Sequence, residues 1–189
     1  MKRLLIVPLL VLPALAHAHT GAGSTQGFFH GFQHPMVGLD HLLAMVAVGL
    51  WAAQLGGRAL WVVPASFVGV RTLGGIAGMA GWNLPMVETG ILLSVLLLGI
   101  LVTFAVRLPV WAGALLVGVF ALFHGHAHGA EMPENIPGWL YAVGFLAATA
   151  ALHASGIGAG LALKNFRFAS ALRFAGALIL LGGVALALV

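Results

Sequence analysis

The chain has 189 residues, of which 61% are hydrophobic and 6% are charged. A soluble domain of this length is about one quarter charged, so the composition excludes an ordinary soluble protein and predicts that lipid surrounds most of its surface. The net charge of +4 comes from scattered basic residues, which argues against nucleic-acid binding. Because there is no cysteine, any metal site must use imidazole, oxygen or methionine sulfur.

The first 18 residues have the layout of a secretory signal peptide. A basic pair precedes an apolar run, and Ala16-His17-Ala18 matches an A-x-A cleavage site. We therefore predict cleavage after Ala18. The alternative is an uncleaved first helix, although the apolar run is shorter than the ~20 residues that a membrane span needs. Residues 19–38 are expected to form a polar, glycine-rich segment outside the membrane.

Six apolar segments follow within residues 39–189, and we predict that each is a transmembrane helix. They are apolar throughout, whereas the strands of a membrane barrel would alternate. The predicted spans are Leu39–Leu55, Ala59–Ala80, Met86–Val106, Val110–His126, Trp139–Leu161 and Ala171–Val189. The predicted fold is therefore all-α, a polytopic bundle of six helices. Two sets of three spans would enter the membrane from opposite sides, which permits an inverted repeat.

The distribution of basic residues predicts the orientation of the bundle. Arg58 and Arg107 follow spans one and three, and three further basic residues follow span five. The intervening loops, residues 81–85 and 127–138, contain no Lys or Arg. By the positive-inside rule the basic loops face the cytoplasm and the N-terminus lies outside. We therefore expect a multi-pass protein of the bacterial inner membrane.

Histidines and carboxylates gather at the external end of the predicted bundle. They are His30, His34, Asp40, His41, Glu88, His124, His126, His128 and Glu131. His34 and His41 are seven residues apart and share a face if a helix begins near Pro35. Neutral imidazole and carboxylate suit Ni²⁺, Co²⁺, Zn²⁺ and Cu²⁺. Any single histidine could be a packing residue, but so many on one side predict a metal-binding array.

The second half of this array lies at the end of span four. His124, His128 and Glu131 follow an i, i+4, i+7 pattern and therefore share one helix face. His126 points roughly the opposite way if the helix continues that far, which the glycines around it leave open.

Two polar residues lie deeper in the predicted membrane region. Arg71 is about twelve residues into span two, ~18 Å along its axis, and needs a partner or a wet cavity. We expect either an ion pair with Glu88 or Asp40, or a role in lining an ion pathway. His153 lies about fifteen residues into span five, nearer the cytoplasm. It is either a packed structural residue or a relay for the ion.

Two segments resemble the signatures of the HupE/UreJ family. Residues 34–45, HPMVGLDHLLAM, resemble the first, and residues 123–131, FHGHAHGAE, resemble the second. The resemblance implies a small bacterial permease linked to nickel-enzyme assembly, for hydrogenase in one branch and urease in the other, with cobalt as an alternative ion. Carried over by position, it implies functional roles for His34, Asp40, His41, Glu88, His128 and Glu131, with His124 and His126 in the same motif.

We therefore expect a permease, not an enzyme, that takes up Ni²⁺ and holds no permanent cofactor. Its expected partners are the metal ion and the lipid bilayer, and the sequence leaves a homo-oligomer and a docking metallochaperone open. Two other functions would use the same ligands. An intramembrane hydrolase would activate water with Zn²⁺, but no partner nucleophile is evident. A membrane-bound metal chaperone would need more cytoplasmic surface than the short loops offer.

Overall fold

Seven helices make up the part of the chain that the computed structural model describes, residues 24–132, 137–165 and 169–188. They are α1 (Ser24–Val37), α2 (Leu39–Leu55), α3 (Ala59–Met79), α4 (Val87–Thr103), α5 (Val110–Ala130), α6 (Gly138–Asn165) and α7 (Ala169–Ala187). No strand occurs in these ranges, and the predicted all-α fold is confirmed. The predicted signal peptide, residues 1–18, lies outside the described residues.

Helices α2 to α7 coincide with the six predicted spans within a few residues. Four of them, α3, α5, α6 and α7, are long and apolar enough to cross a membrane, and α1 with α2 adds a fifth crossing if this bent pair is one span. α4 is apolar but has only 17 residues, ~26 Å at the usual helical rise. The helices and their apolar surfaces indicate a multi-pass membrane protein, while six crossings stay a prediction.

The segment expected to be an external lead-in is helical instead, from Ser24 onward. α1 packs along α6, and glycines make this contact close. A Cβ on Gly31 would strike the carbonyl oxygen of Tyr141, and one on Gly144 would strike that of Phe28. Glycine lowers helix propensity in isolation, but here it permits the packing that holds the helix, and the external placement of residues 19–38 stays a prediction.

The chain bends by 84° between α1 and α2. Pro35 lies in the last turn of α1, and Gly38, with φ −76° and ψ 113°, is extended between the helices. Proline lacks the amide donor that a continuing helix uses. The expectation that His34 and His41 share a face of one helix is therefore wrong, because they lie on opposite sides of the bend.

α5 continues to Ala130 and so includes residues that were predicted to form a loop. The glycines near its end, which left the last residue of the helix undecided in the sequence, lie in contact with α3. A Cβ on Gly125 would meet the carbonyl oxygen of Arg71, and one on Gly129 would meet that of Gly75. All three histidines of the second signature are consequently helical, and each has a defined direction.

Exposed tryptophans lie at both ends of the bundle. Trp82 and Trp139 lie where α3 ends and α6 begins, and Trp61 and Trp111 lie where α3 and α5 begin. Tryptophan is enriched at the two membrane–water interfaces, so this arrangement supports a membrane between the two pairs. The exposed Lys and Arg residues of the described ranges lie toward the Trp61 end, and the orientation stays a prediction.

Replacing Gly125 by Ala should destabilise the bundle, because the added Cβ meets the carbonyl of Arg71 and would force α3 from α5. We expect a loss of about 1–3 kcal/mol, the usual cost of overpacking, seen as earlier thermal unfolding of the detergent-purified protein. Gly69→Ala on α3 is the control, since no atom lies within 4 Å of its added Cβ. Equal stability of Gly125→Ala and wild type would contradict the close contact.

Candidate metal centre

The bend between α1 and α2 faces the ends of α4 and α5 across one cavity of about 350 Å³. We call this end of the bundle, where α2, α4 and α6 begin and α5 ends, the histidine end. The residues that line the cavity are His34, Val37, Gly38, Asp40, His41, Glu88, Ala127, His128 and Glu131. Most of the predicted ligands therefore converge on one space, although they come from separate helices.

The most compact group in this cavity is formed by His34, His128 and Glu131. One ligand atom from each lies within 4.8 Å of the other two, and His34 Nε2 is 3.5 Å from Glu131 Oε2. Glu131 is exposed and His128 is buried, so the group extends from the mouth of the cavity into the bundle. Two imidazoles and a carboxylate form a donor set for a borderline first-row metal ion.

Asp40 orients the imidazole of His41. Its Oδ1 lies 2.8 Å from His41 Nδ1 and accepts the backbone N–H of the same residue at 2.7 Å. A carboxylate only accepts hydrogen bonds, so Nδ1 carries the proton and Nε2 presents its lone pair. That Nε2 is buried and has no partner among the described residues. Carboxylates commonly orient metal-binding histidines in this way.

Ser94 orients His124, a role that the sequence did not predict. Its hydroxyl donates to the carbonyl of Ile91 at 2.6 Å and lies 2.8 Å from His124 Nε2. Because the single hydroxyl proton is already used, the oxygen accepts from Nε2–H, and Nδ1 of His124 keeps a free lone pair. The local sequence signal for Ser94 is a single hydroxyl within the apolar stretch of α4, residues 90–102.

The imidazoles form a continuous line of rings into the bundle. Ring centroids are 4.6 Å apart for His34 and His128, 4.2 Å for His128 and His41, and 4.6 Å for His41 and His124. All of these except His34 are buried, and both ring nitrogens of His128 lack a partner within the described chain. Since metal–nitrogen bonds are ~2 Å long, an ion that leaves one ring can reach the next.

The remaining predicted ligands lie apart from this line. His126 faces the other side of α5, where its Nε2 is 2.6 Å from the carbonyl oxygen of Trp82. A carbonyl only accepts, so His126 donates and ties α5 to the connection between α3 and α4. Glu88 lies exposed at the rim of the cavity, in the first turn of α4. His30 is exposed on α1 and does not line the cavity.

Arg71 lies at the centre of the bundle and is 1% exposed. Its Nη1 donates to Thr149 Oγ1 at 2.5 Å and approaches Met45 Sδ at 3.3 Å. The guanidinium carbon lies 3.8 Å from the ring centroid of Phe145, a close cation–π contact. Nε and Nη2 have no partner among the residues described.

The predicted ion pair of Arg71 with Asp40 or Glu88 is wrong. The ion pairs within the described ranges join His34 to Glu131 and His41 to Asp40. Both candidate carboxylates lie in the first turns of their helices. Arg71 is about two turns before the end of α3, ~12 Å away along its axis. A hydroxyl, a thioether and an aromatic face surround the cation instead of a counter-charge.

His128→Ala should weaken Ni²⁺ binding by the detergent-purified protein at least about tenfold, or 1.4 kcal/mol, because this ring joins the outer group to the buried rings. His126→Ala is the matched comparison on the same helix and should stay within twofold of wild type, since its ring bonds the Trp82 carbonyl. Equilibrium dialysis with Ni²⁺ measures both. An equal loss for the two variants would contradict the assignment of the helix faces.

Comparisons with known proteins show the family of this chain. The chain matches the family model described as HupE / UreJ protein over residues 7–186. It is 50% identical over 181 residues to the Protein HupE of Rhizobium leguminosarum bv. viciae, which covers 94% of this chain and 92% of that one. No solved structure matches. Neither match is to a catalytic family. The chain belongs to the HupE/UreJ family.

Proposed function

We propose that this chain is a permease that takes up Ni²⁺ across the bacterial inner membrane for the assembly of hydrogenase or urease. The observation that carries the proposal is the line of imidazoles from the cavity mouth at His34 to the buried ring of His124. A structural metal site closes around its ion with a full ligand set. A series of partial sites on separate helices suits an ion that moves.

The donor chemistry supports weak, successive binding. Conduction requires binding that is strong enough to replace the hydration shell and weak enough to release the ion. Neutral imidazoles with one free nitrogen each, as at His41 and His124, satisfy both conditions. The carboxylates lie at the mouth or behind an imidazole, where they attract a dication and lower the cost of dehydrating it.

Nickel is proposed over cobalt because of the family, since donor sets of this kind do not separate the two ions. The HupE/UreJ family is associated with nickel uptake for hydrogenase and urease. The proposed orientation puts the histidine end outside and the exposed basic residues inside. The membrane potential then favours entry of a dication by ~4.6 kcal/mol at about 100 mV, more than a thousandfold in concentration.

Uptake of radioactive nickel by cells tests the function. His41→Ala and Glu131→Gln should each lower the initial rate at least about tenfold at equal expression. The first removes a ring from the line, and the second removes the charge at its mouth. Ser155→Ala, exposed on α6 with its hydroxyl bonded to its own helix, should transport like wild type. Equal uptake by the wild type and the three variants would contradict the proposal.

Single cysteines test the orientation, because the natural chain has none. Asn83 and Arg58 are exposed near opposite ends of α3. In spheroplasts, a membrane-impermeant maleimide should label Asn83→Cys directly and Arg58→Cys only after permeabilisation. The reverse pattern would place the histidine end in the cytoplasm and reverse the proposed direction of capture.

A further inference from the structure

The line of imidazoles stops at His124, but another histidine lies deeper on the far side of a single aromatic ring. The ring of Phe67 has its centroid 5.6 Å from that of His124 and 5.1 Å from that of His153. His153 is 2% exposed and Phe67 is completely buried. Phe67 therefore interrupts what would otherwise be a longer series of imidazoles.

His153 lacks the contacts that a packed structural histidine has. Buried polar side chains are nearly always hydrogen-bonded, because burial without a partner costs free energy. Neither ring nitrogen of His153 has a partner among the residues that the structure describes. Its backbone, in contrast, is held firmly, since a Cβ on Gly49 would strike the His153 carbonyl oxygen. The backbone position of His153 is thus fixed, and both ring nitrogens are available.

A fixed positive charge lies beside the same interruption. Arg71 is one helical turn from Phe67 on α3, and its guanidinium carbon is 5.9 Å from the Phe67 ring centroid. The guanidinium bonds Thr149, which is one turn before His153 on α6. Phe67 therefore lies between His124 and His153, and the charge of Arg71 lies beside it.

We propose that His153 is an inner metal-binding position of the same pathway, and that Arg71 and Phe67 form the barrier that separates it from the outer imidazoles in this conformation. The inference rests on the proposed function. An ion that leaves Nδ1 of His124 passes when the Phe67 ring moves aside, and a free nitrogen of His153 receives it. The pathway then continues toward the end of the bundle that carries Arg58.

The barrier also accounts for selection among cations. A guanidinium repels every cation that approaches it. A transition-metal ion recovers free energy by bonding imidazole nitrogen on each side of the barrier, whereas Na⁺ and K⁺ prefer oxygen ligands and gain little from imidazole. For the abundant alkali ions, therefore, no coordination energy offsets the repulsion by Arg71. The bundle can hold an ion path without becoming a general cation leak.

Flux and binding measured on the same purified proteins test the inner position. In proteoliposomes with an entrapped metal indicator, His153→Ala should lower Ni²⁺ influx at least tenfold while Ni²⁺ binding at the outer cavity stays within twofold. Phe67→Leu should raise influx at least threefold with unchanged binding. Val63→Ala, also fully buried and one turn before Phe67 on α3, is the control and should alter neither. Influx through His153→Ala within twofold of wild type would overturn the proposal.

A cysteine at position 153 allows a second test, because protection of its thiol by Ni²⁺ requires metal binding there and not only a structural role. His153→Cys supplies the only cysteine of the chain, and saturating Ni²⁺ should slow its reaction with a membrane-permeant maleimide at least fivefold. Val63→Cys should react at the same rate with and without Ni²⁺. An unprotected thiol at position 153 overturns the inner site even if His153→Ala fails to fold. A wild-type protein that binds Ni²⁺ without transporting it would instead refute the proposed function.

Arg71→Gln tests the selection. The variant should admit K⁺ into the same proteoliposomes at least threefold faster than wild type, as followed by a potential-sensitive dye with valinomycin absent. Arg71→Lys keeps the charge and should leave the K⁺ leak near the wild-type rate. A K⁺ leak that does not change on removal of the charge would show that Arg71 is no barrier to alkali ions.

Discussion

Helices α3 and α5 can lie in contact because glycines there carry no side chains, and the position of the candidate metal site depends on that contact. Gly125 and Gly129 of α5 lie against backbone carbonyls of α3, and Gly74 and Gly78 of α3 lie against carbonyls of α5. Helices in lipid gain little from burying apolar surface against each other, so close backbone packing is what holds them together. Because the two backbones touch along their length, α5 cannot rotate. Its fixed rotation aims His124 and His128 into the bundle and His126 at the Trp82 carbonyl.

Glycine makes a second close contact between α2 and α6, through Gly49 and Gly156. If α2 to α7 are numbered as predicted spans one to six, the contact of α3 with α5 joins spans two and four. The contact of α2 with α6 joins spans one and five. Spans one, two and three can be exchanged with spans four, five and six, respectively. This exchange turns the contact of α3 with α5 into that of α2 with α6, and it leaves the contact of α4 with α7 unchanged. Two inverted halves would produce this arrangement. The candidate ligands that line the cavity do not follow it, because they all lie at the histidine end.

Features that depend on local periodicity could be predicted from the sequence. Features that depend on contacts between residues far apart in the chain could not. Apolar length predicted the positions of α2 to α7, and the helical repeat predicted that His126 would face away from His124 and His128. The bend at Gly38 was missed because Pro35 reads equally well as the first residue of a helix or as part of its last turn. The hydrogen bond between Ser94 and His124 was not predicted because the two residues are 30 positions apart, and no local pattern joins them.

The charged residues take different positions along the proposed pathway, and Arg71 is the one that lies deepest. Carboxylates at the mouth favour the arrival of a dication, but a carboxylate deep in a low dielectric would hold the ion too strongly for release. The buried ligands are instead neutral imidazoles, whose protons are fixed by Asp40 and Ser94 so that a lone pair faces the ion. Because the described residues include no carboxylate deep in the bundle, neutral contacts must stabilise the buried cation, and Thr149 and Phe145 supply them. In the proposed pathway an ion would therefore meet attraction first, coordination next and repulsion last, an order in which only an ion that bonds nitrogen would continue inward.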